Sequence, residues 1–206
     1  MLFAISGSQG SGKSTVLTHL ADLGFPTVTR KTSRSILDDW GVTLSQVNND
    51  RELTVKFQDE ILQRKVDDER EAREDVSRIW FTERTYADLF TYAVVAIGKD
   101  NEYTDWVNDY FERCKKEQHT YAHNFYLKGG MFNVEADGVR GINQHYARMV
   151  DVVMEDVTKR MSGMTNLFEP SGVQTTEITY RNIQDRVNAI LTQISVYTPR
   201  VEREYD

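Results

Sequence analysis

Residues 2–14 read LFAISGSQGSGKS, and their reading decides the fold. Residues 2–6 are a short apolar run that passes directly into a glycine-rich loop, which is how a buried parallel strand ends. Residues 7–14, GSQGSGKS, fit the pattern G-x-x-x-x-G-K-[ST] in the context that pattern requires, between a strand and a helix. The helix is expected over residues 14–23, where Val16, Leu17 and Leu20 recur at helical spacing and Gly24 stops it. Gly7, Gly10 and Gly12 allow positive φ and a close approach of the backbone to phosphate oxygens. Successive N–H groups through Ser8, Gln9, Ser11, Lys13, Ser14 and Thr15 then form an anion cradle at the positive end of the helix dipole. Lys13 can reach the β and γ phosphates of ATP, and the Ser14 hydroxyl can ligate the Mg2+ that bridges them. The loop establishes nucleoside triphosphate binding and leaves motor, switch and kinase undistinguished.

The rest of the chain bounds the answer. With 206 residues, 39% hydrophobic and 28% charged, it is expected to form one domain over residues 1–206. A chain of this size buries enough surface to fold without a disulfide or structural metal, in keeping with its single cysteine, Cys114. The apolar run at residues 2–5 is far shorter than a signal-peptide core or a membrane span, so a soluble, cytoplasmic protein without a membrane partner is expected. The net charge of -7 disfavours nucleic acid as a partner, because phosphate neutralisation needs concentrated Lys and Arg. A small anionic ligand in a local basic pocket fits better.

Residues 25–29, 78–82 and 124–127 are further strand candidates, and a weak strand is expected between 165 and 178. Residues 49–74 carry Leu53, Phe57, Ile61, Leu62 and Val66 in a charged context, the pattern of one long amphipathic helix. Helices are also expected over 86–97, 103–118, 144–161 and 180–196. Alternating strands and helices predict an α/β, three-layer fold with a parallel five-stranded sheet flanked by helices.

The stretch 78–93, RIWFTERTYADLFTYA, delivers Glu83, Arg84 and Thr85 to the carboxyl end of its strand, the edge where open parallel sheets bind ligands. A carboxylate there can act as base on a hydroxyl or hold a magnesium-bound water, and an adjacent Arg can fork onto a phosphate. The combination of GSQGSGKS, the ERT triplet and a later glycine-rich basic loop resembles the nucleoside and nucleotide kinase branch of P-loop proteins. ERT is similar to the Glu-Arg-Ser of deoxynucleoside kinases and the Asp-Arg-Tyr of thymidylate kinases. The whole chain resembles bacteriophage-type deoxynucleoside monophosphate kinases.

That resemblance implies a P-loop kinase fold with a lid at about 128–148, ATP and Mg2+ as cofactors, and transfer of the γ-phosphoryl group to a (deoxy)nucleoside monophosphate. In the lid, KGGMFNVEADGVRGINQHYAR, Arg140 is the implied transition-state cation and Arg148 the second candidate. Residues 29–34, TRKTSR, place Arg30, Lys31 and Arg34 beyond a strand end, a cationic cluster suited to an acceptor phosphate. Glu83, Arg84, Arg30, Arg34 and Arg148 are therefore the expected acceptor-binding set. Tyr86 and Phe90 are the expected aromatic contacts to a base.

His19, His119, His123 and His145 show no metal-ligand spacing. Two rivals stay open: a nucleoside or DNA-base hydroxyl kinase with Glu83 as general base, and a P-loop ATPase acting as a regulatory module. A homodimer is equally open, since an apolar helix face can be core or interface.

Overall fold

The computed structural model describes residues 1–28, 33–129, 143–162 and 172–197. Strand β1, Leu2–Ser6, is buried at every position, which explains its lack of polar alternation. It is paired in parallel on one side with β2, Trp80–Glu83, and on the other with β3, His123–Leu127. Strand β4, Thr175–Ile178, pairs in parallel with β3, giving the order β2-β1-β3-β4.

One face of β1 presents Phe3 and Ile5, which pack with Val16 and Leu20 of α1 (Lys13–Asp22) and with Val187, Ile190 and Ile194 of α9 (Ile183–Ile194). The opposite face presents Leu2 and Ala4 to a second core. That core draws on α4 (Arg51–Asp68), α5 (Arg70–Glu74), α6 (Tyr86–Ile97), α7 (Thr104–Gln118) and α8 (Gln144–Met161). The α/β architecture with a parallel sheet between two helical layers is as expected.

The sheet has four strands among the described residues, not five. Of the expected strand at 25–29, residues 25–28 are described and form one parallel bridge, Thr27 to Phe81. Its hydrogen bonds run from Val28 N to Phe81 O at 2.9 Å and from Phe81 N to Pro26 O at 3.0 Å. Pro26 has no N–H to offer, so the ladder cannot lengthen in that direction.

The expected long helix at 49–74 is divided at Glu69 into α4 and α5. Two helices escape a search for long periodic stretches because they are short: α2, Ser33–Trp40, and α3, Leu44–Asn49. They bury Ile36, Leu37 and Val47 against Phe57 of α4. A capping box joining Thr43 and Gln46 starts α3. Most of the expected lid, residues 130–142, lies outside the described residues, and α8 begins just after it with Asn143 as N-cap. Among the described residues no helix is long and apolar enough to cross a membrane.

Candidate active site

The phosphate loop leaves β1 through Gly7, whose φ is 140°. A side chain there would collide with the carbonyl oxygen of Leu127 at the end of β3, so only glycine lets the loop lie this close to the sheet. Gly12, in the left-handed region with φ 88°, is the N-cap of α1. The N–H groups that open α1 therefore follow directly from the loop. Lys13 is buried and folds across the loop, donating to Gly7 O at 2.8 Å, Ser8 O at 2.9 Å and Ser11 Oγ at 3.4 Å. Ser14 and Thr15 are exposed at the start of α1, and Gln9 and Gly10 are half-buried at the loop's crest. The nine residues 7–15 thus form one continuous cradle.

Two buried charges that the sequence reading did not single out hold this loop from beneath. Arg186 of α9 donates through Nη1 to Ser11 O at 2.5 Å and through Nε to Tyr180 O at 2.5 Å. Asp151 of α8, 3% exposed, accepts on Oδ1 from Ser8 Oγ at 2.9 Å, Gly129 N at 3.0 Å and Tyr126 Oη at 3.1 Å. A side chain at Gly129 would meet Ser8 Oγ and Asp151 Oδ1 and push them out of this arrangement. Burial, followed by the adjacent Asp151, pushes the Tyr126 phenol above its ordinary range and keeps it a donor.

Strand β2 ends at the other wall. The register sets Glu83 opposite Ile5, which aims it toward α1, and its Oε2 accepts from Ser14 Oγ at 3.3 Å. A hydroxyl and a carboxylate at this spacing are hard oxygen donors that fit Mg2+, an ion that keeps most of its coordination for water and phosphate oxygens.

Arg84 follows with φ 68°, the one non-glycine with positive φ among the described residues. Its amide donates to Ile5 O at 2.8 Å, which locks the turn. Left-handed backbone at a non-glycine residue is strained, and such strain gathers where a side chain must be aimed. The Arg84 guanidinium lies over the Tyr92 ring at 5.0 Å, and its Nη1 is buried without a hydrogen-bond partner among the described residues. Burial lowers the Arg84 pKa, but Tyr92, Asp88 and Glu83 outweigh it and raise the value, so the cation persists.

A buried charge network supports this corner. Lys65 of α4 and Glu69, one turn on at the junction of α4 and α5, pair at 2.5 Å, and Lys65 Nζ also reaches Thr82 Oγ1 and the Glu83 carbonyl, each at 3.4 Å. Glu69 accepts further from Thr82 Oγ1 at 2.8 Å, Tyr86 Oη at 2.8 Å and Arg73 at 3.1 Å. Burial alone would raise the Glu69 pKa, but the Lys65 charge and these donors bring it below the ordinary value.

The expected site residues separate accordingly. Ser14, Glu83 and Arg84 converge with the loop. Arg148, on α8, is largely exposed and pairs with Asp151 Oδ2 at 3.4 Å, beside Ser8. Arg34 sits exposed in the first turn of α2. Arg30 and Arg140 lie outside the described residues. Tyr86 and Phe90 are packed in the core: Tyr86 stacks on Tyr121 at 5.6 Å and donates to Glu69, and Phe90 is buried edge-on against Phe111 at 5.0 Å. Both point into the core because α6 is buried around most of its circumference. Tyr92, half-buried, lies beside Arg84 and is an aromatic residue at the site among the described residues.

Cavities of about 340 Å³ beside His119 and Val173 and about 750 Å³ beside Trp40 and Lys56 are lined by no residue of the loop or of the ERT corner. The open edge of the sheet is therefore the better candidate for the chemistry.

The model of a family described as AAA domain matches residues 2–172. No curated protein matches the sequence. Among solved structures, deoxyadenosine kinase from M. mycoides with bound dATP superposes with a TM-score of 0.69 at 15% identity, covering 95% of this chain and 100% of that one. The same enzyme with products dCMP and a flexible dCDP bound gives 0.68 at 13% identity, over 95% of this chain and 100% of that chain. With bound dCTP it gives 0.63 at 16% identity over the same shares. At these identities the likeness is one of fold.

Proposed function

The chain belongs to the AAA domain family, and we propose that within it this protein is an ATP-dependent phosphotransferase acting on a (deoxy)nucleoside monophosphate. One observation carries the reading: the Ser14–Glu83 pair at 3.3 Å stands beside Arg84, whose strained backbone presents a buried guanidinium N–H that no described group satisfies. A phosphate-binding loop needs only the first of these features to hold ATP. A cation on the opposite wall is what an anionic acceptor requires.

In this reading the N–H groups of residues 7–15 bind the triphosphate, and Lys13 turns its ammonium from the loop carbonyls to the β and γ oxygens. Ser14 and Glu83 would hold Mg2+, which when bound supplies charge to neutralise the phosphates. Arg84 fixes the acceptor phosphate, joined by Arg34 of the first turn of α2, with Arg30, Arg140 and Arg148 as the further cations of the acceptor set. Burial strengthens the contacts that Lys13 and Arg84 would make.

A second reading has its own support. Glu83 is a carboxylate at the reacting end, suited to take a proton from an acceptor hydroxyl, and the structural neighbours are named deoxyadenosine kinases. The fold they share supports a nucleoside acceptor as well as a nucleotide one.

Mass spectrometry of ATP incubated with a panel of nucleosides and their monophosphates separates the readings. Beside the ADP that every reading yields, the diphosphate of the acceptor identifies the first, the monophosphate of the acceptor the second, and inorganic phosphate without an acceptor product marks an ATPase. Lys13→Ala must abolish whichever transfer occurs; full activity in that variant refutes the loop assignment.

A further inference from the structure

We propose that Asp88 is an acceptor-binding residue, its carboxylate oxygen Oδ2 taking a hydrogen bond from a sugar hydroxyl of the acceptor. The proposal rests on the phosphotransferase reading and names the part of the acceptor that this side of the site holds.

Asp88 is fully buried in the first turn of α6. Its Oδ1 is engaged, accepting from Ser6 Oγ and from Thr85 Oγ1, the latter at 3.0 Å. Its Oδ2 is shielded from solvent and has no hydrogen-bond partner among the described residues. A buried carboxylate oxygen without a donor is costly, and such atoms in a folded protein call for a partner supplied from outside.

The location specifies that partner. Ser6 is the last residue of β1, directly before the phosphate loop, and Thr85 directly follows Arg84. Asp88 therefore lies between the two strand ends that carry the loop and the acceptor corner. Because side chains alternate along a strand, Ser6 faces α6 whereas Ile5 and its register partner Glu83 face α1. Glu83 thus belongs to the reacting end beside Ser14, and Asp88 to the α6–α8 side.

On that side Tyr92 and Val95 meet Tyr126, Val150 and Met154 in an apolar cluster, with Arg84 stacked over Tyr92. Asp88 acts electrostatically on both Arg84 and Tyr126, which places it among them. A carboxylate oxygen repels phosphate and accepts from hydroxyls. With Arg84 holding the 5′ end of the acceptor, the sugar is the next group along, and its hydroxyl supplies the missing donor.

The test compares kcat/KM of the full-length protein for a deoxynucleotide or deoxynucleoside acceptor and its 2′,3′-dideoxy counterpart, in wild type and in Asp88→Asn. The wild type is expected to favour the hydroxyl-bearing acceptor by about ten- to a hundredfold, since a site built to bond a hydroxyl rejects the analogue lacking it. Asp88→Asn should lose most of that preference, its loss falling mainly on the hydroxyl-bearing acceptor. Equal loss on both acceptors would mean a structural role only and overturn the proposal. A wild type indifferent to the hydroxyl overturns it as well, and that measurement needs no variant. Should Asp88→Asn fail to fold, Asp88→Ser, which keeps a short polar group for Thr85, takes its place in the comparison. If the wild type phosphorylates no nucleoside or nucleotide at all, the phosphotransferase reading itself falls, and this proposal with it.

Discussion

Replacing Asp151 by alanine should loosen the phosphate loop and the protein together. Three donors converge on its Oδ1: Ser8 Oγ at 2.9 Å, Gly129 N at 3.0 Å and Tyr126 Oη at 3.1 Å. Hydrogen bonds to a charged acceptor contribute roughly 1.5 to 3 kcal/mol each, yet the three are not additive, because the Ser8 and Tyr126 hydroxyls can rotate to other acceptors. The Gly129 amide cannot rotate, and it is left buried and unpaired. The net cost for Asp151→Ala is therefore about 3 to 4 kcal/mol, which in a chain of this size lowers Tm by roughly 10 °C. Asp151→Asn keeps Oδ1 as acceptor and gives up only the weak contact to Arg148, so it should cost about 1 kcal/mol. Because Ser8 belongs to the cradle, the alanine variant should also weaken ATP binding by about tenfold, at a temperature where it is still folded. Urea denaturation and fluorescence titration with ATP measure the two effects. If Asp151→Ala stays within about 1 kcal/mol of wild type, the clamp is not a stabilising element. If stability falls with unchanged ATP affinity, its coupling to the loop is refuted.

Arg84→Gly should leave Tm within a few degrees of wild type, because glycine adopts φ 68° without strain, while transfer to an acceptor falls by about a hundredfold or more; retained turnover would exclude Arg84 from the acceptor site. Lys65→Met removes the shortest ion pair of the buried Glu69 carboxylate, leaving it Arg73 and the hydroxyls of Thr82 and Tyr86, and should cost about 2 to 3 kcal/mol, whereas the Lys65→Met, Glu69→Gln double variant should recover part of that loss in thermal melts. The same network sets a pH dependence: the lowered Glu69 pKa contributes stability that is present above its ordinary value of 4.5 and lost as pH falls below it. His123, wedged between Tyr197 Oη at 3.0 Å and Thr176 Oγ1 at 2.8 Å, has its pKa lowered by burial from 6.5 to about 4. The unfolded chain then binds the extra proton between those values, so stability should fall as pH drops through that window, by about 2 kcal/mol after solvent screening. His123→Gln should flatten that part of a stability-against-pH curve; an unchanged slope would show that another group titrates there.

Residues 2–14 were legible because everything they need is local. A buried strand, glycines at the turns, and Lys13 and Ser14 at the head of a helix are encoded within one short stretch. The ERT corner was legible for the same reason, as residues placed at the end of an apolar strand. The fifth strand was misjudged because β-branched and aromatic residues at 25–29 mark a strand, whereas Pro26 limits how far it can pair. Spacing along α6 does not say which of its faces is covered, and most of them are, which is why Tyr86 and Phe90 lie in the core.

What the sequence determined by itself, then, is the phosphate cradle and the alternation of strands and helices that produces a parallel sheet. Only the tertiary structure decided what surrounds the cradle. Asp151 meets Ser8 across 143 positions, Arg186 meets Ser11 across 175, and Asp88 meets Ser6 across 82. None of these carboxylates or guanidinium groups differs in sequence from a solvated surface charge. Each becomes a buried partner because parallel strands bring their carboxyl ends together at one edge, and the packing there excludes the water that would otherwise satisfy them.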